Sequence, residues 1–113
     1  MGDILMVTYG TLVSALDREG TAYTDWRCIY LDWPGMIVVR KSADDPDKKV
    51  VWLYPYTEGE NEQPYFHTSA GVISGTEENL TIKTPNSEYV FFIDDECLTE
   101  EQKSSLFYGI VVY

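Results

Sequence analysis

Residues 7–20 read VTYGTLVSALDREG, and whether this stretch is helix or strand decides the fold. The spacing predicts a helix. Thr8 can act as the N-cap, its hydroxyl accepting from a first-turn N–H, while Val7 and Leu12 stand where a hydrophobic staple needs them. Leu12, Ala15 and Leu16 fall at i, i+3 and i+4, so one stripe is apolar, and Ser14, Asp17 and Arg18 take the other side. Gly20 fits the left-handed position that ends a helix. A helix this short is marginal alone and must dock; burying Leu12 and Leu16 contributes roughly 1.5–3 kcal/mol each.

The surface it would dock on is a sheet. Trp26 to Leu31 alternates and is rich in strand formers, Asp32-Trp33-Pro34-Gly35 is a turn, and Met36 to Lys41 returns as a second strand expected to pair with the first. After the charged loop SADDPDKK at 42–49, Val50 to Tyr56 resumes a strand, and Thr57 to Pro64 is an acidic loop. Tyr65 to Thr68 reads as a short strand and Ser69 to Glu78, with two glycines, as a surface excursion. Leu80–Thr84 and Glu88–Ile93, joined by Pro85-Asn86-Ser87, form a β-hairpin. Thr99 with Gln102 three residues on makes a capping box for a short helical turn, and Phe107 to Tyr113 closes the chain as a strand. The expected fold is one α+β domain over residues 1–113: an N-terminal helix packed on a single, mostly antiparallel β-sheet, with a short helical turn before the last strand.

Composition narrows the function. The net charge is −11 and uneven, because residues 1–56 hold six basic and eight acidic groups whereas 57–113 hold two and eleven. Binding a nucleic-acid backbone needs a basic face, so nucleic acid is not an expected partner. The acidic half serves solubility or occupies a basic groove on another protein. No apolar run reaches the ~20 residues of a membrane helix, so no membrane is expected, and a cytoplasmic location with free thiols is. Cys28 and Cys97 show no metal-binding spacing, and no cofactor is implied. His67 has no nucleophile motif beside it and reads as an ordinary strand histidine. Gly71 and Gly75 among Ser69, Ser74 and Thr76 offer backbone N–H groups to a phosphate only weakly, since no lysine follows. Nine tyrosines and three tryptophans are the surplus. Tyr9, Tyr23, Trp26, Tyr30, Trp33, Trp52, Tyr54, Tyr56, Tyr65 and Phe66 exceed what one small core can bury, so some belong to an interface or stack on a planar ligand.

Two stretches carry a resemblance. Thr8-Tyr9-Gly10-Thr11-Leu12 running into Ala15-Leu16, then Gly20, Trp26 and Ile29-Tyr30-Leu31, resembles the opening of the Thoeris anti-defence 2-like family of small phage and prophage proteins. Leu80 to Thr84 with the Pro85-Asn86-Ser87 turn and Glu88-Tyr89-Val90 is similar to that family's hairpin. The similarity spans about residues 6–40 and 80–112, and Phe91 to Asp95 and Tyr108-Gly109 depart from the family pattern. The resemblance implies a non-enzymatic homo-oligomer that hides a cyclic ADP-ribose-type or other cyclic nucleotide signal from a bacterial immune effector. On that reading Trp26, Tyr9 or Tyr30 stacks the base, Lys83 and Arg27 hold phosphate, and Gly10 and Thr84 complete the ligand contacts. Arg40 and Lys41 are further donors to an anion. The alternative is an acidic protein-interaction inhibitor, an anti-CRISPR-like nucleic-acid mimic that blocks a basic groove of a host defence protein.

Overall fold

The computed structural model of the chain describes residues 4–57 and 64–112, the last two by backbone alone. It is sheet-dominated: β1 (Ile4–Asp17), β2 (Gly35–Lys41), β3 (Lys49–Pro55), β4 (Phe66–His67), β5 (Val72–Gly75), β6 (Asn79–Lys83) and β7 (Ser87–Ile93), then α1 (Glu100–Phe107). The strands form one antiparallel sheet in the order β4-β3-β2-β1-β7-β6-β5.

The expected N-terminal helix is therefore a strand, and the reason lies in its spacing. β1 carries a bulge at Val13, since Leu12 opposes Phe91 and Ser14 already opposes Val90. The extra residue resets the alternation, so Leu12 and Ala15 both face inward at i and i+3 and imitate a helical stripe. Gly20 does adopt φ +85°, in the turn that follows. Gly10 is the decisive residue. It opposes Gly35 of β2 on one side and Ile93 of β7 on the other, so β1 changes partners there, and an added Cβ would lie 1.9 Å from the Phe92 carbonyl oxygen. Only a residue without a side chain permits that approach.

A second corner closes the roll. The segment 66–75 runs beside β3 as β4, with Thr68 N donating to the Val51 carbonyl at 3.0 Å, and then beside β6 as β5. At the crossing, Gly71 exchanges two 2.9 Å backbone hydrogen bonds with Lys49, and a Cβ on it would meet the Lys83 carbonyl at 2.3 Å. The excursion expected at 69–78 thus holds a paired strand, β5, at its centre, and Gly71 is there for close approach rather than for a loop.

Inside the roll lie Leu12, Ile37, Leu53, Phe66, Ile82 and Phe91, each fully or almost fully buried. One end is capped by a 3-10 helix, Trp26–Tyr30, opened by Asp25 and tied to β1 through a Leu31–Leu12 bridge. This corrects the expected strand at 26–31 and its pairing with β2, whose neighbours are β1 and β3. On the outer face, α1 lays Leu106, with Leu98 before it, over Met36, Val38 and Tyr54. Its capping box is formed, Gln102 N donating to Thr99 Oγ1 at 3.1 Å and Thr99 N to Gln102 Oε1 at 2.9 Å. The expected terminal strand is instead a π-helical turn over Tyr108–Val112 that continues α1. The acidic loop at 57–64 falls largely outside the described residues.

Candidate functional site

The site residues expected from the sequence fall into two places. Trp26, Arg27 and Tyr30 meet in the end cap, where Trp26 lies edge-on to Tyr30 at 6.3 Å and tilts over Phe66 at 5.5 Å. Arg27 sits between the rings of Tyr23 (4.0 Å) and Trp26 (4.6 Å), donates from Nε to the Tyr89 hydroxyl at 2.9 Å and pairs with Asp25. Tyr23 reaches the next hairpin, its hydroxyl 2.6 Å from Ser87 Oγ, and so ties the cap to the turn after Lys83 and Thr84. Lys83 is itself paired with Glu88 at 3.4 Å, and Thr84 Oγ1 accepts from Ser87 N at 3.0 Å. Every one of these polar groups has an internal partner, which suits a clasp holding the cap in place.

Tyr9 and Gly10 lie elsewhere. Tyr9 belongs to the outer face beneath α1, with Lys103 Nζ 5.1 Å from its ring centre, and Gly10 is the β1 corner. Burial pushes the Tyr9 phenol above its ordinary range, against the opposing pull of Lys103. The glycine loop keeps little to offer an anion, because Gly71 N bonds to Lys49 and Thr76 N to the Asn79 carbonyl at 2.8 Å. No helix of the described residues is long and apolar enough to cross a membrane, and no three His, Cys, Asp or Glu among them converge as a metal site would require.

A second constellation comes from tertiary register. β3 alternates, so Val51 and Leu53 point into the core while Trp52 and Tyr54 point out. The β3–β4 register sets Trp52 opposite His67, and their rings stack at 4.6 Å and 28°. Tyr65 (5.4 Å) and Tyr54 (6.0 Å) stack on the same indole, giving a continuous aromatic floor. Arg40 arrives from β2, its guanidinium carbon 5.7 Å from the Trp52 ring centre. Its Nε is buried without a hydrogen-bond partner, which costs stability, while the same guanidinium bonds to Tyr54. Burial raises the Tyr54 phenol, and a hydrogen bond with the same Arg40 pulls it partly back. His67 Nδ1 lies 3.1 Å from the Thr68 carbonyl, which can only accept, so Nδ1 carries a proton and Nε2 is left to meet a ligand. Beside this floor a groove of about 290 Å³ is bordered by Arg40, Lys41, Trp52 and His67, with Asp44 on its rim. Two cations, Arg40 and Lys41, thus gather beside the ring stack in a chain of net charge −11.

The fold and this surface define a small rolled-sheet protein with an aromatic, cation-flanked outer groove. Comparison with protein-family models, with curated proteins and with solved structures yields no match for this chain.

Proposed function

We propose that the protein is a non-enzymatic binder that sequesters a cyclic nucleotide signal, as a phage-type counter-defence protein does, and that the ligand occupies the outer groove. Its base lies over the Trp52–His67 stack and its phosphate meets Arg40 and Lys41. The observation that carries this reading is the Trp52–His67 ring stack in the wall of the groove, with Arg40 and Lys41 lining it beside them. An aromatic face contributes roughly 1–3 kcal/mol per stacked base, and a phosphate accepts charge-assisted hydrogen bonds from the Arg40 and Lys41 groups that line the groove. Isothermal titration with cyclic ADP-ribose isomers and cyclic dinucleotides tests it. Binding that falls at least tenfold in Trp52→Ala and in Arg40→Gln, and hardly changes in Trp26→Ala, supports the groove. Loss confined to Trp26→Ala returns the site to the end cap, and no heat with any ligand ends the reading.

A second reading, an acidic inhibitor of a basic protein surface, is favoured by the charges. Among the described residues Lys83 and Lys103 are each engaged by one carboxylate, Glu88 and Glu100, which leaves Glu77, Glu78, Asp94, Asp95, Glu96 and Glu101 without a salt bridge. Partner capture should weaken steeply between low and high salt, because exposed charges are screened within about 10 Å at 0.1 M. Capture that ignores salt refutes it.

A further inference from the structure

A rolled sheet that turns two corners through glycine leaves its two halves splayed where no strand crosses. The 3-10 helix covers one such gap. The other is open. Between the first half of β1 and β5 lies a cleft of about 360 Å³ whose walls are Met6, Ile73, Leu80 and Ile93, with Thr8 and Ser74 at its lip. The apolar surface continues outward, since Ile4, Leu5 and Met6 are 40%, 48% and 42% exposed.

Two further features identify what fits there. The first is charge. Glu77 borders the cleft, Asp95 reaches it through a 3.5 Å contact with Thr8 Oγ1, and among the described residues no Lys, Arg or His lines it. An anion is repelled and a cation attracted. The second is backbone. The Tyr9 carbonyl accepts from Asp94 N at 2.9 Å on the side of β1 away from β2. Val7, two residues earlier, turns its N–H and C=O to that same side, where no partner stands among the described residues. An extended chain running beside Val7 can pair with those groups.

We infer that this gap docks an extended segment of a partner protein, which places one large apolar side chain in the cleft and flanking Lys or Arg residues on Glu77 and Asp95. A second copy of this chain is the poorer occupant, because two molecules of net charge −11 would meet acidic rim to acidic rim. The inference rests on the acidic-inhibitor reading for the sign of the partner and adds the place and the apolar anchor; it is independent of nucleotide binding at Trp52.

Fluorescence anisotropy on the full chain tests it with three labelled octapeptides, alternating leucine with lysine, serine with lysine, and leucine with glutamate. The leucine–lysine peptide should bind saturably, and the other two at least tenfold more weakly. Thr8→Trp, which fills the cleft from its lip, and Met6→Lys, which sets a positive charge in its wall, should each reduce binding at least tenfold, with circular dichroism confirming the fold. Equal binding of the serine–lysine peptide overturns the apolar anchor while leaving the acidic reading standing. Equal binding of the leucine–glutamate peptide overturns the charge and the acidic reading with it. Undiminished binding in both variants overturns the cleft as the place. A rise in mass to a dimer without peptide, abolished by Met6→Lys, makes the second copy the occupant instead.

Discussion

Replacing Gly10 by alanine separates the two ways residues 7–20 can fold, because the sign of the effect differs. In a helix the change is favourable by about 0.8–1 kcal/mol, alanine being the best helix former and glycine among the worst. At the β1 corner the new methyl would stand 1.9 Å from the Phe92 carbonyl oxygen, 3.0 Å from its carbon and 3.1 Å from Ile93 Cα. All three are main-chain atoms, so no rotamer change relieves the clash; β1 and β7 must part where they first pair. Overpacking costs about 1–3 kcal/mol, and a weakened ladder bond adds about 1, so the loss is about 2–4 kcal/mol. That is a large share of a stability on the order of 5–15 kcal/mol, and it lowers Tm by about 10 °C. Urea unfolding followed by tryptophan fluorescence measures it. Gly109→Ala is the control, since nothing lies within 4 Å of its added Cβ, and it should be neutral or slightly stabilising. A Gly10→Ala protein as stable as the parent, or more so, would refute the corner and restore the helix.

Other consequences can be measured in the same way. Deleting Val13 removes the bulged residue and leaves Leu12 inward, Ser14 outward and Ala15 inward, so the variant should fold; deleting Thr11 reverses the facing of half of β1 against the other half and should not, as circular dichroism and gel filtration would reveal. Tyr9 and Tyr54 ionise above their ordinary range in the fold, so their protonated forms stabilise it below the unfolded value of about 10, and that contribution is lost as pH rises through the folded values. The urea midpoint should therefore decline above about pH 10 more steeply in the parent than in Tyr54→Phe, and equal slopes would contradict this. Burial, with Asp94 beside it, raises the Cys97 thiol. Iodoacetamide at pH about 8 should alkylate it more slowly than free cysteine until urea is added, and an equal rate would count against the packing beneath α1.

Legibility followed locality. The β6–β7 hairpin was readable because turn residues stand between two alternating runs, and β2, β3 and the Thr99–Gln102 capping box were readable for similarly local reasons. β1 was not, because one bulged residue, Val13, gives a strand the inward spacing of a helix. The segment 26–31 has strand formers in alternation, but Asp25 accepts from Arg27 N and starts a 3-10 helix, a capping signal that outweighs them. Phe107 to Val112 is apolar enough for a strand, yet it follows a capped helix without a break, and the Tyr108 N–H bonds back to Ser104 and Ser105. At the site, Trp52, Tyr54 and Tyr65 already stood out as surplus aromatics, and Arg40 and Lys41 as donors. What brings them together is the register of β3 against β4, which pairs residues fifteen apart in the chain and recruits His67, a residue no motif marks.

That register also decides how function and stability share one strand. β3 sends Val51 and Leu53 into the core and Trp52 and Tyr54 to the outer face, so neighbouring residues do different jobs at the same height in the fold. Leu53 is fully buried, and Leu53→Ala should cost about 2–5 kcal/mol. Trp52 is only partly buried and loses chiefly its ring contacts with His67, Tyr65 and Tyr54, so Trp52→Ala should cost about 1–2 kcal/mol while removing the floor of the groove. Urea unfolding and ligand titration on both variants distinguish the roles. If Trp52→Ala unfolds as readily as Leu53→Ala, the aromatic floor is a structural belt and the groove loses its claim. If it stays folded and binding alone is lost, Trp52 serves the ligand, while Tyr54 beside it remains part of the cluster that α1 covers.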